Sequence, residues 1–255
     1  IEDISPLSGL VNLGGIPSLQ THLDLRFNRI SDLKPLVDNP ACAKGVRIDV
    51  RGNPLSEESY KIYIPELLDR GVNLLYTPKP SGKKVEIPDK NLERVIREAV
   101  AVRDRDLYES DLRSIKTLTA PRKGIVELKE LEYCVNLEYL ALPDNRISDI
   151  SPIRHLTNLR ILNLSGNRIV DISPLAHLSR LGEIPKSGTM GWRVERGIPI
   201  YLDLTRNMIR DVKPLLDNKN LKGGIGIDLR FNSLSEKSRK EYIPQLLRRG
   251  VKILY

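Results

Sequence analysis

The nine residues NRISDISPI (145–153) return almost unchanged one period later as NRIVDISPL (167–175). The same phrase stands as NRISDLKPL at 28–36 and as NMIRDVKPL at 207–215, and IEDISPL at 1–7 repeats its second half. The Asn, Asp and Pro of the phrase keep their spacing, which mere enrichment in leucine would not produce. The basic step is 22 residues, and longer steps of 25 and 40 also occur. A recurring period of this length indicates a protein in which each repeat forms one structural unit.

A short apolar alternation precedes each phrase, for example Leu140-Ala-Leu142 before Asn145. Alternation at period two predicts a short strand with one buried face. We expect the asparagine to turn the chain and its amide to bond backbone groups of the next coil, since a buried turn must satisfy its polar groups. The Asp four residues on is expected to cap a short helical turn, and the Pro to end or bend the extended return. Because one coil cannot bury its own leucines, the coils must stack.

The apolar composition also points to a stack of similar coils. Of 255 residues, 39 are Leu and 25 are Ile, but only 2 are Phe and 1 is Trp. The repeated residues form the motif LxxLxxLxLxxNxIxDIxPL, which resembles the leucine-rich repeat family in its 22-residue bacterial form, as in internalins. The resemblance covers nearly the whole chain. It implies an α/β fold, namely a leucine-rich repeat solenoid with short parallel strands on the concave face and irregular or 3-10 outer turns. It also implies a bacterial source and favours a cell-surface or secreted location.

A longer repeat divides the chain into two tandem units. Residues 48–76 and 227–255 are the same element, which reads as a strand, a capped helix and a second strand. Such an element closes a solenoid, as terminal units must. The Pro/Gly/Lys-rich stretch 77–84 is expected to be a linker. We therefore predict that 1–76 is the C-terminal part of a first unit with its closing cap. We predict that 85–255 is a second domain with a helical N-terminal cap and a C-terminal cap.

The exposed strand positions hold candidate binding residues. In the last coils of each unit an Asp stands between the two apolar residues and an Arg or Thr follows two residues later, so both lie on one face of the strand. Two interpretations remain open, a charge ladder that pairs with itself and a surface that recognises a charged partner. In the middle coils the same face holds Tyr139 and Ile161 beside small residues, which we interpret as an exposed docking patch.

Insertions precede two of the strands. The longer one is GEIPKSGTMGWRVERGIP (182–199), and a shorter one of 7 residues follows Leu13. Long irregular loops in compact folds are often functional. Trp192 in this basic rim loop is either a binding hot spot or a residue that pins the loop to the solenoid. The candidate partner-binding residues on the concave faces and rim loop are Asp24, Arg26, Phe27, Asp49, Arg51, Tyr139, Ile161, Tyr201, Asp203, Arg206, Asp228, Arg230, Phe231, Trp192 and Arg193.

No catalytic or metal-binding pattern stands out in the sequence. It contains neither a Gly-x-Ser-x-Gly motif nor a phosphate-binding loop, and its 3 His stand at unrelated repeat positions. Cys42 and Cys134 lie among aliphatic residues and are expected to be buried thiols. No apolar run approaches the ~18 to 20 residues of a membrane-spanning helix, so no membrane insertion is expected. We predict a protein without catalytic activity, cofactor or metal.

The repeat architecture favours a non-catalytic scaffold that holds a protein partner on its concave faces and rim loop. Residues 77–255 carry 33 Lys/Arg and 23 Asp/Glu, whereas residues 1–76 carry 8 and 10. The basic second domain leaves an acidic protein, an anionic polymer or nucleic acid as alternatives, although the scarcity of aromatic residues argues against nucleic acid. Because the phrase at Ile1 begins in mid-repeat, we expect an open sheet edge near it. Self-association through that edge is a further alternative.

Overall fold

The computed structural model describes residues 1–11, 22–103, 105–183 and 193–255. The strands are β1 (His22–Asp24), β2 (Arg47–Asp49), β3 (Asn73–Leu75), β4 (Lys84–Val85), β5 (Leu107–Tyr108), β6 (Thr117–Thr119), β7 (Tyr139–Ala141), β8 (Ile161–Asn163), β9 (Arg193–Glu195), β10 (Ile198–Asp203), β11 (Gly226–Asp228) and β12 (Lys252–Leu254). The α-helices are α1 (Lys34–Asp38), α2 (Ile64–Asp69), α3 (Lys90–Val100), α4 (Glu109–Arg113), α5 (Lys213–Asp217) and α6 (Ile243–Arg248). Turns of 3-10 helix lie at Ser5–Gly9, Leu131–Tyr133, Ser151–Ile153 and Ser173–His177, and π-helical segments at Ser59–Tyr63 and Ser238–Tyr242.

The chain forms two compact units. Unit 1 comprises Ile1–Ser81 with Val100–Asp111, and unit 2 comprises Gly82–Ala99 with Leu112–Tyr255. Val100–Asp111, which the sequence places in the second domain, thus packs with unit 1. Thr77 is one reason, because its hydroxyl accepts a hydrogen bond from the Gly52 amide at 2.9 Å and donates one to the Val100 carbonyl at 3.2 Å. The role of α3 as a helical cap stays a prediction.

A parallel sheet runs through unit 2. Its strands lie in the order β12-β11-β10-β8-β7-β6, and β9 pairs antiparallel with β10 outside this path. The central apolar residues of neighbouring strands stand opposite one another, as Leu118, Leu140 and Leu162 do in β6, β7 and β8. Their side chains are buried, at 1%, 0% and 0% exposure. The predicted short parallel strands with one buried face are therefore confirmed, and the leucines of successive coils stack into one core.

Unit 1 repeats this arrangement with fewer strands. Its sheet has the order β1-β2-β3, and Leu23, Ile48 and Leu74 stand opposite one another in it. The helical segment that follows β2 is capped by Ser56, whose hydroxyl accepts a hydrogen bond from the Ser59 amide at 3.1 Å. A side-chain oxygen at this position satisfies an amide of the first helical turn. The strand, capped helix and strand of the closing element are thus present in the order that the sequence predicts.

In two outer turns of unit 2 the aspartate bonds the first amide, but the N-cap positions are Ile150 and Ile172, and the proline also has a different place from the predicted one. Asp149 accepts a hydrogen bond from the Ser151 amide at 2.8 Å, and Asp171 accepts one from the Ser173 amide at 2.7 Å. Pro152 stands in the first turn of the 3-10 helix that begins at Ser151. The prediction that the Pro ends or bends the return is therefore wrong. Its fixed φ suits the start of a helix, where the missing N–H breaks no bond.

The asparagine of each phrase belongs to a ladder of side-chain hydrogen bonds. The Asn167 Oδ1 accepts from the Ile147 amide at 3.0 Å, and its Nδ2 donates to the carbonyl oxygens of Leu142 and Leu164, each at 3.0 Å. Ile147 and Leu142 belong to the preceding coil, so the prediction that the amide bonds the next coil is wrong in direction. The equivalent bonds in the other coils are made by Asn53, Asn145, Asn207 and Asn232. The ladder satisfies backbone groups where the coils turn.

The residue before each of these asparagines has a left-handed backbone. In unit 2, φ is 55° at Asp144, 67° at Gly166, 54° at Arg206 and 62° at Phe231. This conformation turns the chain sharply out of the strand. It suits glycine, and other residues adopt it at a cost of about 1 kcal/mol. The sequence predicts a turn at the asparagine, but because most of the preceding residues are not glycine, it does not indicate their left-handed backbone.

Asp89 joins helix α3 to the first coil of unit 2. Its Oδ1 accepts hydrogen bonds from the amides of Asn91 at 2.9 Å and Leu92 at 3.0 Å. Its Oδ2 accepts from the amides of Val126 at 2.7 Å and Glu127 at 3.1 Å. Burial raises the pKa of the Asp89 carboxyl, but these hydrogen bonds outweigh burial and the pKa lies below its ordinary value. The folded state is therefore stabilised by the ionised carboxylate.

The substitution Asp89→Asn is expected to lower the free energy of unfolding at pH 7 by about 1–2 kcal/mol. A carboxyl whose folded-state pKa is lowered stabilises the fold above its unfolded-state pKa, and the contribution is lost as the pH falls through the folded-state pKa. The difference in the free energy of unfolding between wild type and variant should therefore become smaller below about pH 4. Urea unfolding at several pH values between neutral and acidic measures this difference. The exposed Glu132→Gln is the control, and a difference that stays constant into acid would contradict the role of Asp89.

Candidate partner-binding surface

The outward side of the unit 2 sheet is uncharged along β6, β7 and β8. Thr117 and Thr119 are exposed, and Tyr139 and Asn163 are half-buried. These residues alternate with buried leucines, so they share one face of the sheet. Burial raises the pKa of the Tyr139 phenol, which stays neutral at physiological pH. We call these four residues the open sheet face. It combines neutral hydrogen-bonding groups with one aromatic ring.

Two candidate residues on this side of the sheet are buried instead. Ile161 and Tyr201 are each 4% exposed. Ile161 stands opposite Tyr139 in the register of β7 and β8, and Tyr201 directly precedes Leu202, which stands opposite Leu162. Ile161 therefore has Tyr139 as its neighbour across the strands, and both Ile161 and Tyr201 have little contact with solvent. The prediction that Ile161 forms an exposed patch is wrong, and Tyr139 is the accessible member of the group.

The outward charges of β10 and β11 form a closed network. Asp228 is fully buried and accepts hydrogen bonds from Arg230 at 2.7 Å and from Arg193 at 2.6 Å. Arg193 also forms ion pairs with Asp203 at 3.0 Å and with Glu195 at 3.3 Å. Burial raises the pKa of Asp228, but the hydrogen bonds from Arg230 and Arg193 outweigh burial and hold the pKa below its ordinary value. Each charged group of this network has a partner of opposite charge within the protein.

Asp203 and Asp228 are therefore not the exposed charges that the strand pattern suggests. Their exposed fractions are 8% and 0%. The alternation assigns them to the outward face, but Arg193 from β9 pairs with both. The sequence leaves two interpretations of the Asp and Arg positions, a self-paired charge ladder and a surface for a charged partner. At this end of the sheet the charges form ion pairs with one another. Glu195, which the strand pattern does not predict as a member, accepts a hydrogen bond from Arg230 at 3.3 Å.

Part of the longer insertion is a β-hairpin rather than an irregular loop. Strand β9 pairs antiparallel with the first half of β10. Gly226 leaves room for this hairpin, since a Cβ atom there would lie 2.1 Å from the carbonyl oxygen of Pro199. Arg193 is thus held on a strand, in reach of the aspartates. Trp192, the predicted hot spot of the insertion, lies outside the described residues.

The charges of unit 1 are also paired within the chain. The ion pair between Arg26 and Asp24 is 2.6 Å long, and so is the pair between Arg51 and Asp49. Asp49 is 1% exposed, so the prediction that it is an exposed charge is wrong. Arg26 reaches this carboxylate too, at 3.7 Å. Arg26 and Arg51 thus both lie against the Asp49 carboxylate. Of these charged residues, Asp24 and Arg26 have the more accessible side chains.

Phe27 and Phe231 occupy equivalent positions with different surroundings. Phe27 is half-buried, and the guanidinium of Arg103 lies 3.5 Å from its ring centroid in a cation–π contact. It helps to line a cleft of about 600 Å³ in unit 1. Phe231 is 72% exposed, and the guanidinium of Arg206 lies 5.9 Å from its ring centroid. Of the two, Phe231 is the accessible aromatic side chain.

The described residues offer little reactive chemistry. Within these ranges, no group of three or more His, Cys, Asp or Glu is placed to hold a metal ion. Cys42 and Cys134 are both fully buried, and burial raises the pKa of the Cys134 thiol to about 12. A thiol that stays protonated is a poor nucleophile. Among the described residues, no helix is both long and apolar enough to cross a membrane.

The sequence itself identifies the repeats. Residues 135–177 match the family model of leucine-rich repeats in two copies, and residues 21–33 match a further leucine-rich repeat model. The chain therefore contains leucine-rich repeats, and its repeat motif resembles that of the bacterial internalins. A fold of this class is generally non-catalytic and typically serves as a protein-binding scaffold. No curated protein sequence matches the chain significantly.

Several solved bacterial structures match parts of the chain at low sequence identity. An internalin (inlF) from Listeria monocytogenes is 23% identical over 66% of this chain and 55% of its own, with a TM-score of 0.39. A leucine-rich repeat protein from Leptospira interrogans is 22% identical over 93% of this chain and 55% of its own, with a TM-score of 0.40. The functional domain of InlJ from Listeria monocytogenes is 17% identical over 63% and 42%, with a TM-score of 0.41. The chain spans about half the length of these structures.

Proposed function

We propose that this protein is a non-catalytic scaffold that binds a protein partner through the outward faces of its sheets. The observation that carries the proposal is the contrast along the unit 2 sheet. Its charges at β10 and β11 pair with one another, whereas the open sheet face is neutral. A neutral face loses its water at a lower cost than unpaired charges do, and a polar rim around such a core is typical of protein interfaces.

The proposed binding residues follow from exposure. In unit 2 Tyr139 is the anchor of the open sheet face, and Arg193, whose side chain is 43% exposed, bounds the sheet at its other end. In unit 1 the accessible candidates are Asp24 and Arg26. A half-buried tyrosine is a typical anchor, because it offers a large apolar area with few rotamers to fix. The buried candidates act by shaping the sheet on which these side chains stand.

Charges introduced on the open sheet face test the proposal. The double variant Thr119→Arg with Asn163→Arg is expected to weaken capture of the partner at least about tenfold, because two unpaired charges would have to be desolvated in the interface. The immobilised 255-residue chain would capture proteins from an extract of the organism that encodes it. The control is Thr157→Arg with Ser179→Arg, which adds the same charge at exposed outer turns.

The outcomes separate the alternatives. A protein that wild type and control retain and the face variant loses would support the proposal. Equal capture by all three would place the interface elsewhere. Capture of no protein, together with sedimentation that shows concentration-dependent self-association, would favour the structural assembly role instead. Thermal unfolding checks that both variants fold.

A further inference from the structure

A second surface of unit 2 is formed by residues that come after each asparagine of the ladder. The residues one and three positions after the asparagine are exposed, and the residue between them is buried, as in Arg168, Ile169 and Val170. The same alternation recurs in the neighbouring coils. Three exposed side chains also precede asparagines, and of these Asp144 lies 3.8 Å from Arg122. With the other two, these positions define what we call the basic rim, which consists of Arg146, Arg168, Val170, Arg206, Met208, Arg210 and Phe231.

Backbone hydrogen bonds stack the basic rim into a column. The Arg168 amide donates to the Ile147 carbonyl at 2.8 Å, and the Met208 amide donates to the Ile169 carbonyl at 2.9 Å. Coils joined in this way lie about 4.8 Å apart, as neighbouring strands do. Side chains of consecutive coils therefore project side by side along one line. An extended ligand laid across the coils could meet several of them at once.

The arginines of the basic rim differ from those of the sheet. Among the described residues, Arg146, Arg168 and Arg210 have no ion pair, and all three are exposed. The nearby aspartates of the phrase, such as Asp149 and Asp171, turn their carboxylates to the amides of their own outer turns. The guanidinium groups of the rim are thus available to an external anion.

Exposed apolar side chains lie between these arginines. Val170 is 56% exposed, Met208 57% and Phe231 72%. A uniform polyanion, such as a nucleic acid backbone or a sulfated polymer, has no apolar groups to place against them. A polypeptide can carry carboxylates and apolar side chains in the same segment. Interfaces of this kind are enriched in Arg, Met and Phe.

We propose that the basic rim binds an acidic segment of a partner protein in which apolar side chains alternate with carboxylates. The arginines would meet the carboxylates, and Val170, Met208 and Phe231 would meet the apolar groups. This surface uses none of the residues of the open sheet face. A test of the basic rim is therefore independent of a test of the open sheet face.

Fluorescence anisotropy with labelled probes of equal charge tests the proposal. The probes are a short peptide of glutamates interspersed with leucines, a poly-glutamate peptide and an oligothymidine. The full chain is expected to bind the glutamate–leucine peptide at least about tenfold more tightly than either other probe. The triple variant Arg146→Ser, Arg168→Ser and Arg210→Ser should weaken this binding at least about tenfold.

The matched control removes the same charge elsewhere on unit 2. It is Lys219→Ser with Lys222→Ser and Arg248→Ser, all at exposed positions, and it should change the affinity less than about twofold. Met208→Ser with Phe231→Ser should abolish the preference for leucine-containing peptide. Equal or tighter binding of oligothymidine would overturn the proposal in favour of a polyanion site. Unchanged binding by the triple variant would exclude the rim.

Discussion

Replacing Asn167 with alanine is expected to lower the free energy of unfolding by about 3–5 kcal/mol. The side chain is 7% exposed and joins two coils, since it accepts from the Ile147 amide and donates to the carbonyls of Leu142 and Leu164. Alanine would leave these backbone groups without partners in the interior, and each buried unsatisfied group costs about 1–3 kcal/mol. Because the coils are stabilised mainly by their neighbours, the loss weakens the stack on both sides.

Urea unfolding followed by circular dichroism measures this effect. Asn220→Ala is the control, since Asn220 is exposed and an exposed substitution changes stability by about 0.5 kcal/mol or less. Asn167→Asp keeps one acceptor but turns an oxygen toward two carbonyl groups, so it should destabilise the fold about as much as alanine does. If Asn167→Ala and Asn220→Ala unfold alike, the ladder is not a source of stability.

Gly226→Ala is the second substitution for which we expect a large loss, about 3 kcal/mol. A Cβ atom at this position would lie 2.1 Å from the Pro199 carbonyl oxygen and 2.7 Å from Cγ2 of Ile198. The nearest obstacle is backbone, which cannot rotate away as a side chain can. The first half of β10, and the β9 hairpin with it, would have to move. Amide hydrogen exchange at Ile200 and Leu202 should therefore become faster, in addition to the loss in thermal stability.

Gly223→Ala is the matched control three residues earlier. A Cβ atom there meets nothing nearer than the Arg249 carbonyl oxygen at 3.9 Å, which is ordinary contact. Alanine at this exposed position should be neutral or slightly stabilising, because it reduces the freedom of the unfolded chain. Similar stability of the two variants would show that the hairpin does not pack against β11 as described.

Much of the fold could be predicted because each coil repeats the same local problem. The alternation around Leu140 and Leu162 indicates the strands. Asp149 and Asp171 bond the first amides of their outer turns, but each stands one residue before the N-cap position. Two local details were wrong. Pro152 begins a helical turn, and Asn167 bonds the preceding coil. In both cases the pattern identifies a residue that shapes the turn. It does not show whether the proline begins or ends the helical turn, or which coil the asparagine bonds.

The candidate surface could be predicted only in part, for a related reason. The alternation correctly places Asp203, Asp228 and Ile161 on the outward side of the sheet. It cannot show that Arg193, far along the chain from Asp228, pairs with both carboxylates. Exposure depends on what else packs over a face, which a local period does not contain. The basic rim lies outside this pattern, because its alternation follows the asparagine of each phrase rather than the strand.

The left-handed backbone before each asparagine lowers stability wherever the residue is not glycine. Arg206 and Phe231 hold this conformation, although glycine would hold it at about 1 kcal/mol less per residue. The same two side chains form a cation–π contact at the protein surface. A version of the chain engineered for heat resistance would gain from glycine at both positions and would lose part of its surface chemistry. If the basic rim binds as proposed, the stability of the fold and the binding of a partner therefore favour different residues at these turns.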